Sequence, residues 1–295
     1  MLIDIVFSGG GVKGFAFSGA LHVLEKAGYT FKRTAGTSAG SIVASLVAAG
    51  YHANDLKEIM AEMDTNQLIE PSAGGIRFQL VKWLRLYFKM GLFSGKQLEQ
   101  WIAELLKKKG IETFSDLPDD RLKIVVSDAT KAKLVVIPDD LQDYGIEPGR
   151  FSVARAVRMS CSLPFFFEPV PLYDASGVKS LIVDGGVLSN FPLWIYDRES
   201  ELPARPFLGL QIVDQNSEAE TLKINNAADL FRGIFKAMRE AHDDRVVERL
   251  KGSNIICLPI GSVQTKDLQI AKKERERLFQ IGADCARKFL SQWSY

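Results

Sequence analysis

Ala35-Gly36-Thr37-Ser38-Ala39-Gly40 is the stretch whose reading decides the fold. Gly36, Ser38 and Gly40 stand in the G-x-S-x-G spacing of a nucleophile elbow, a sharp strand-to-helix turn that lifts one serine hydroxyl clear of a sheet. A serine at such a turn takes a strained backbone conformation. Glycines two residues to either side let strand and helix pass closely without side-chain clashes. The flanks agree: residues 29–34 suit a short strand, and Ser41-Ile42-Val43-Ala44-Ser45-Leu46-Val47-Ala48-Ala49 reads as a buried helix ended by Gly50. The bare pattern also arises as an ordinary turn, so its surroundings must decide.

Upstream, Leu2-Ile3-Asp4-Ile5-Val6-Phe7 is an apolar strand broken only by Asp4. It runs into Ser8-Gly9-Gly10-Gly11-Val12-Lys13-Gly14 and then a helix over residues 15–27, closed by Gly28. Strand, glycine loop, helix, strand, elbow, helix is an alternating βαβα opening, which implies a parallel sheet covered by helices. Gly9-x-Gly11-x-x-Gly14 also satisfies the dinucleotide fingerprint, but that motif expects an acidic residue about twenty positions on. Arg33-Thr34-Ala35-Gly36 holds none. Lys13 precedes Gly14 rather than Ser or Thr, which excludes a Walker loop. Two readings remain. The loop is a tight turn, or the backbone N–H groups of Gly9, Gly10 and Gly11 face a developing negative charge as an oxyanion hole.

The chain has 295 residues, 46% hydrophobic and 25% charged, the make-up of a soluble globular protein with room for a substantial core. A formal charge of +1 speaks against bulk nucleic-acid binding while allowing a local basic patch. Cys161, Cys257 and Cys285 are scattered, without C-x-x-C, as suits a reducing compartment with neither disulfides nor a zinc site. Met1 leads straight into the first strand, and no apolar run nears the ~20 residues needed to span a bilayer. The expectation is a cytoplasmic protein whose contact with membranes is peripheral.

Asn54 or Asp55 is expected to cap a helix running to Met63, with a loop over residues 65–75. Residues 76–90 place Trp83, Ile76, Tyr87, Leu80, Leu84, Phe88 and Val81 on one helical arc at ~100° per residue. Lys82, Arg85 and Lys89 lie beside that arc, with no acid among them. The stretch reads equally as an interfacial helix touching substrate or membrane through Lys82, Trp83, Arg85 and Lys89, or as a core-packed helix with snorkelled charges. Ser94-x-x-Gln97 has capping-box spacing for a helix that Gly110 stops. Residues 121–128 and 132–137 look like a hairpin, and residues 151–159 like a short helix. Phe165-Phe166-Phe167 suggests the wall of an apolar cavity, or plain core packing. Leu181-Ile182-Val183 ends in Asp184-Gly185-Gly186, which puts a carboxylate at a strand's C-terminal end, where α/β sheets keep reactive groups. Strands over residues 207–213 and 255–258, and helices within 225–251 and 267–293, complete what reads as one domain over residues 1–295.

A serine nucleophile needs a base, and histidine is the usual one. Of the three, His22 lies on the helix after the glycine loop, His52 in a turn, and His242 in a charged helical run. Asp184 is the better candidate, because a carboxylate in a mostly apolar cleft becomes a more competent base.

With these pieces placed, the sequence resembles the patatin-like phospholipase family. The matching segments are Gly9-Gly10-Gly11-Val12-Lys13-Gly14, Gly36-Thr37-Ser38-Ala39-Gly40, Ser160-Cys161-Ser162-Leu163-Pro164 and Asp184-Gly185-Gly186 with Asn190-x-Pro192. The resemblance implies a three-layer α/β/α fold with a mostly parallel central sheet. It also implies a Ser–Asp dyad without histidine, with Ser38 as nucleophile, Asp184 as base and the backbone of Gly9–Gly11 as oxyanion hole. The activity it implies is hydrolysis of fatty acyl esters in phospholipids or lysophospholipids, without cofactor or calcium. Ser8 departs from the aspartate often found before the three glycines. An acyltransferase using the same acyl-enzyme, or a non-catalytic lipid-binding module, remains an alternative on the same residues.

Overall fold

The computed structural model describes residues 1–10, 14–62, 86–197, 205–214, 254–261 and 272–293, with 224–225, 229–230, 233–234 and 237 besides. Gly11, residues 63–85 with Lys82, Trp83 and Arg85, and His242 lie outside the described residues. Residues 2–7 build β1 (Leu2–Phe7), whose Ile3, Ile5 and Phe7 enter one core while Val6 enters another. Such alternation is what a strand covered on both faces must show. After the glycine loop come α1 (Phe15–Lys26), β2 (Thr30–Thr37), α2 (Ala39–Ala48) and α3 (Ala53–Glu62). Next follow β3 (Gly91–Phe93), α4 (Lys96–Lys107), the antiparallel pair β4 (Leu122–Asp128) and β5 (Lys133–Ile137), and α5 (Val153–Ser160). Then come β6 (Phe165–Phe167), β7 (Val170–Tyr173), β8 (Lys179–Asp184), β9 (Phe207–Asp214), β10 (Ile255–Ile260) and α6 (Lys272–Leu290).

These make a three-layer α/β/α fold around an 8-stranded sheet of order β10-β9-β1-β2-β4-β8-β7, with β5 also on β4. The run from β10 to β4 is parallel; β5, β8 and β7 join antiparallel. Ile3, Ile5, Phe7, Ile124, Leu210 and Leu258 share the larger core with α1, α2 and α3, while Phe191, Leu193 and Tyr196 cover Val6 and Ala35 on the opposite face. Asp4 breaks the apolar run of β1 without destabilising it, because Arg33 donates to Oδ2 at 2.9 Å through Nε and Arg205 donates to Oδ1 at 3.3 Å.

Two helix starts differ from expectation. The start of α3 is shared: Glu25 of α1 accepts the Ala53 N–H at 3.2 Å, while Asp55, one of the two expected capping residues, accepts the N–H of His52 at 2.9 Å from within the first turn. The Ser94–Gln97 capping box does not form. Gly95 enters the left-handed region (φ 67°) at the cap position of α4, so Ser94 stands one residue before the cap, where its Oγ accepts the Lys96 N–H at 3.4 Å.

Candidate active site

The register of the sheet explains how Ser38 and Asp184 meet. β2 pairs with β4 up to Thr37 opposite Val125, and β8 pairs with it from Ile182 opposite Asp128 to Asp184 opposite Val126. β5 pairs with residues 124 to 128 of β4. A strand has two edges, so β2 and β8 must share the other one. One runs parallel to β4 and the other antiparallel, and their C-terminal ends therefore point at each other. Ser38 and Asp184 stand where they converge.

Ser38 has φ 54° and ψ −129°, a conformation that costs an L-residue about 1–3 kcal/mol. The closeness of strand and helix enforces it. A Cβ on Gly36 would lie 2.4 Å from the Gly40 carbonyl oxygen, and one on Gly40 would lie 2.4 Å from that of Phe7. The Ser38 carbonyl accepts from the Ser41 hydroxyl at 2.6 Å and from the Ser41 N–H at 2.9 Å, while the Ser38 N–H donates to Ser160 Oγ at 2.9 Å. At about 1 kcal/mol each, these bonds are of the size needed to offset the strain.

The Ser38 hydroxyl donates to Asp184 Oδ2 at 2.7 Å. The other carboxylate oxygen, Oδ1, accepts the Gly186 N–H at 2.7 Å as β8 turns into a short 3₁₀ segment, and the Asp184 N–H donates to the Ser162 carbonyl at 2.9 Å. Asp184 is thus held at both ends and is only 3% exposed. Burial, and then the charge of Asp184, push the neighbouring Cys161 thiol up to about 12. It stays protonated, and so unreactive, at neutral pH.

The glycine loop is held from the far side of the chain. The Gly9 N–H donates to the Asn190 carbonyl at 2.9 Å and holds the loop there. Gly9 is required for space, since a Cβ there would lie 2.2 Å from Asn190 Oδ1 and 3.3 Å from Ser38 Cβ. Among the described residues none accepts from the Gly10 N–H. Ser8, in place of the usual aspartate, accepts from the Ile212 N–H at 3.0 Å and fastens the loop to β9.

Neither described histidine contacts Ser38. The His22 ring packs on Phe279 of α6 with centroids 5.6 Å apart, and the exposed His52 ring faces Glu25 at 3.3 Å. No group of three or more His, Cys, Asp or Glu side chains that could hold a metal ion occurs among the described residues. None of their helices is long and apolar enough to cross a membrane.

The run Phe165-Phe166-Phe167 is not plain core. It forms β6, paired in parallel with β3, outside the main sheet. Rings of Phe93 and Phe166 meet at 5.0 Å, while Phe165 remains 49% exposed. Beside β3, residues 86–89 are helical; Tyr87 and Phe88 are 80% and 69% exposed, and Lys89 is exposed too. Buried Arg158 ties this unit to the site, donating to the Glu168 carbonyl at 2.8 Å and to the Ser162 hydroxyl. The side chains of Ser160 and Arg158 carried no sequence signal of these contacts beyond the family-like segment in which Ser160 stands.

Comparison with known proteins follows the same lines. Over its whole length the chain is 42% identical to the uncharacterized protein YqhO of Bacillus subtilis (strain 168), covering 100% of both. It is 26% identical over 198 residues to a cUMP-AMP-activated phospholipase of Escherichia coli, covering 64% of this chain and 55% of that one. The fold is similar to VipD from Legionella pneumophila, with a TM-score of 0.58 at 20% identity over 98% of this chain and 66% of that one. The family model described as patatin-like phospholipase matches residues 5–196, which hold the elbow, the glycine loop and Asp184 together. The chain belongs to the patatin-like phospholipase family.

Proposed function

We propose that the protein is a serine esterase of the phospholipase A type, which cleaves fatty acyl esters of phospholipids or lysophospholipids through a Ser38–Asp184 dyad. The observation that carries this reading is the 2.7 Å hydrogen bond from the Ser38 hydroxyl to Asp184 Oδ2. Asp184 takes the Ser38 proton as Oγ attacks the ester carbonyl carbon. The Gly10 N–H, with the loop that follows, receives the negative charge on the carbonyl oxygen. Collapse expels the lipid alcohol, which regains the proton from Asp184 and leaves an acyl-serine. Asp184 then deprotonates a water that attacks this ester, and the fatty acid departs as Ser38 recovers its proton. The Escherichia coli relative's name as a phospholipase supports the substrate class.

The substrate arrives from a lipid surface in this reading. Tyr87, Phe88 and Phe165 supply exposed aromatic area, and Lys82, Trp83, Arg85 and Lys89 supply the basic, amphipathic composition of an interfacial segment. Incubating the purified chain with mixed phospholipids, lysophospholipids and triacylglycerols, with and without an alcohol acceptor, tests the function. Free fatty acid from phospholipid or lysophospholipid is expected. Acylated acceptor in its place would make the chain an acyltransferase, and no turnover would leave a lipid-binding module.

A further inference from the structure

We infer that Ser160 is a positioning residue for the Ser38 nucleophile, an inference that rests on Ser38 being the nucleophile. Ser160 is the last residue of α5 and is fully buried. Its oxygen accepts the Ser38 N–H at 2.9 Å, and its own hydrogen goes to the Val125 carbonyl at 2.7 Å. A hydroxyl has one hydrogen to give. With that hydrogen on Val125, the oxygen faces Ser38 as an acceptor, and the polarity of the bridge is fixed.

The bridge lies where β2 leaves β4. Val125 is the residue of β4 opposite Thr37, and its neighbour Val126 is opposite Asp184. Ser160 therefore ties the backbone of the nucleophile to the same point of β4 that delivers the base. It sets the separation between Ser38 Oγ and Asp184 Oδ2. It also consumes the Ser38 N–H, which cannot then serve the oxyanion, so the glycine loop carries that charge. Without the hydroxyl, a partly buried N–H at a strained residue loses its acceptor and the elbow shifts. A displacement near 1 Å at reacting atoms costs about 10² in rate.

The test uses the full chain with Ser160→Ala and Ser160→Cys, which remove or weaken the bridge at similar volume, and Ser160→Thr, which keeps the hydroxyl. Folding is checked by thermal melting. The readouts are kcat and KM on a short soluble ester and the rate of labelling by a small fluorophosphonate. In that labelling the Ser38 Oγ–P bond forms, P–F breaks, fluoride leaves and the proton passes to Asp184. Whichever of the Ala and Cys variants folds is expected to lose about tenfold to 10² in both kcat and labelling rate, with KM within about twofold. Ser160→Thr is expected within about threefold of wild type. Wild-type kcat and labelling in a folded Ala or Cys variant, or a loss confined to KM, overturns the inference. Ser38→Ala run alongside separates the two claims. If it labels like wild type, the nucleophile is misassigned; if it is silent while Ser160→Ala labels normally, only the role of Ser160 fails.

Discussion

Ser38 and Asp184, 146 positions apart in the chain, are joined by a 2.7 Å hydrogen bond because β2 and β8 run toward each other along one edge of β4. The carboxylate is aimed by the Gly186 N–H on its other oxygen, and no described histidine reaches the serine.

Asp184→Asn keeps the shape and the Gly186 bond but cannot take a proton. A loss of about 10²–10⁴ in kcat is expected from the missing base alone. His22→Gln and His52→Gln are expected to keep most turnover, since those rings contact Phe279 and Glu25. Soluble-ester kinetics on the three variants checks this. A thousandfold loss in either histidine variant with an intact fold would replace the dyad by a triad.

Gly10→Pro removes the backbone N–H assigned to the oxyanion, and loss of one such donor typically costs about 10²–10³ in rate. A Cβ at Gly10 would come 2.4 Å from the Ile212 Cδ1, so the change is made in an Ile212→Ala background and compared with that parent. Normal kcat in the folded double variant would remove Gly10 from the hole.

The aromatic unit and the basic stretch before it are expected to control access to lipid rather than chemistry. Tyr87, Phe88 and Phe165 changed together to Ser should weaken sedimentation with neutral vesicles at least tenfold. Lys82, Arg85 and Lys89 changed together to Gln should weaken binding to anionic vesicles by up to roughly 3 kcal/mol at low salt, at ~1 kcal/mol per charge, and less at high salt. Soluble-ester turnover should hardly change in either. Wild-type vesicle binding in both variants would locate the interface elsewhere.

What was legible in the sequence was local. The elbow shows because Gly36 and Gly40 are forced by backbone atoms within a few residues or on the adjoining strand, and the β4–β5 hairpin because its two halves are neighbours. What was hidden depends on distant partners. That the Gly9 N–H meets the carbonyl of Asn190, far along the chain, is a contact no local spacing shows. The three-residue strands β3 and β6 are too short for a period, and their pairing joins Gly91 to Phe165. Ser94 had the right spacing for a cap, but spacing says nothing of the left-handed turn at Gly95. Ser160 stood in a family-like segment, yet only the three-dimensional register assigns its hydroxyl to Ser38 and Val125.

The central claim is that Ser38 forms the acyl-enzyme, and Ser38→Ala tests it most directly. The measurement is fatty acid release from the phospholipid the wild type cleaves, with the fold verified by thermal melting. A loss approaching 10⁶ in kcat is predicted, as for a nucleophile that acts as part of a unit. A folded variant that keeps a tenth of wild-type turnover would contradict the account.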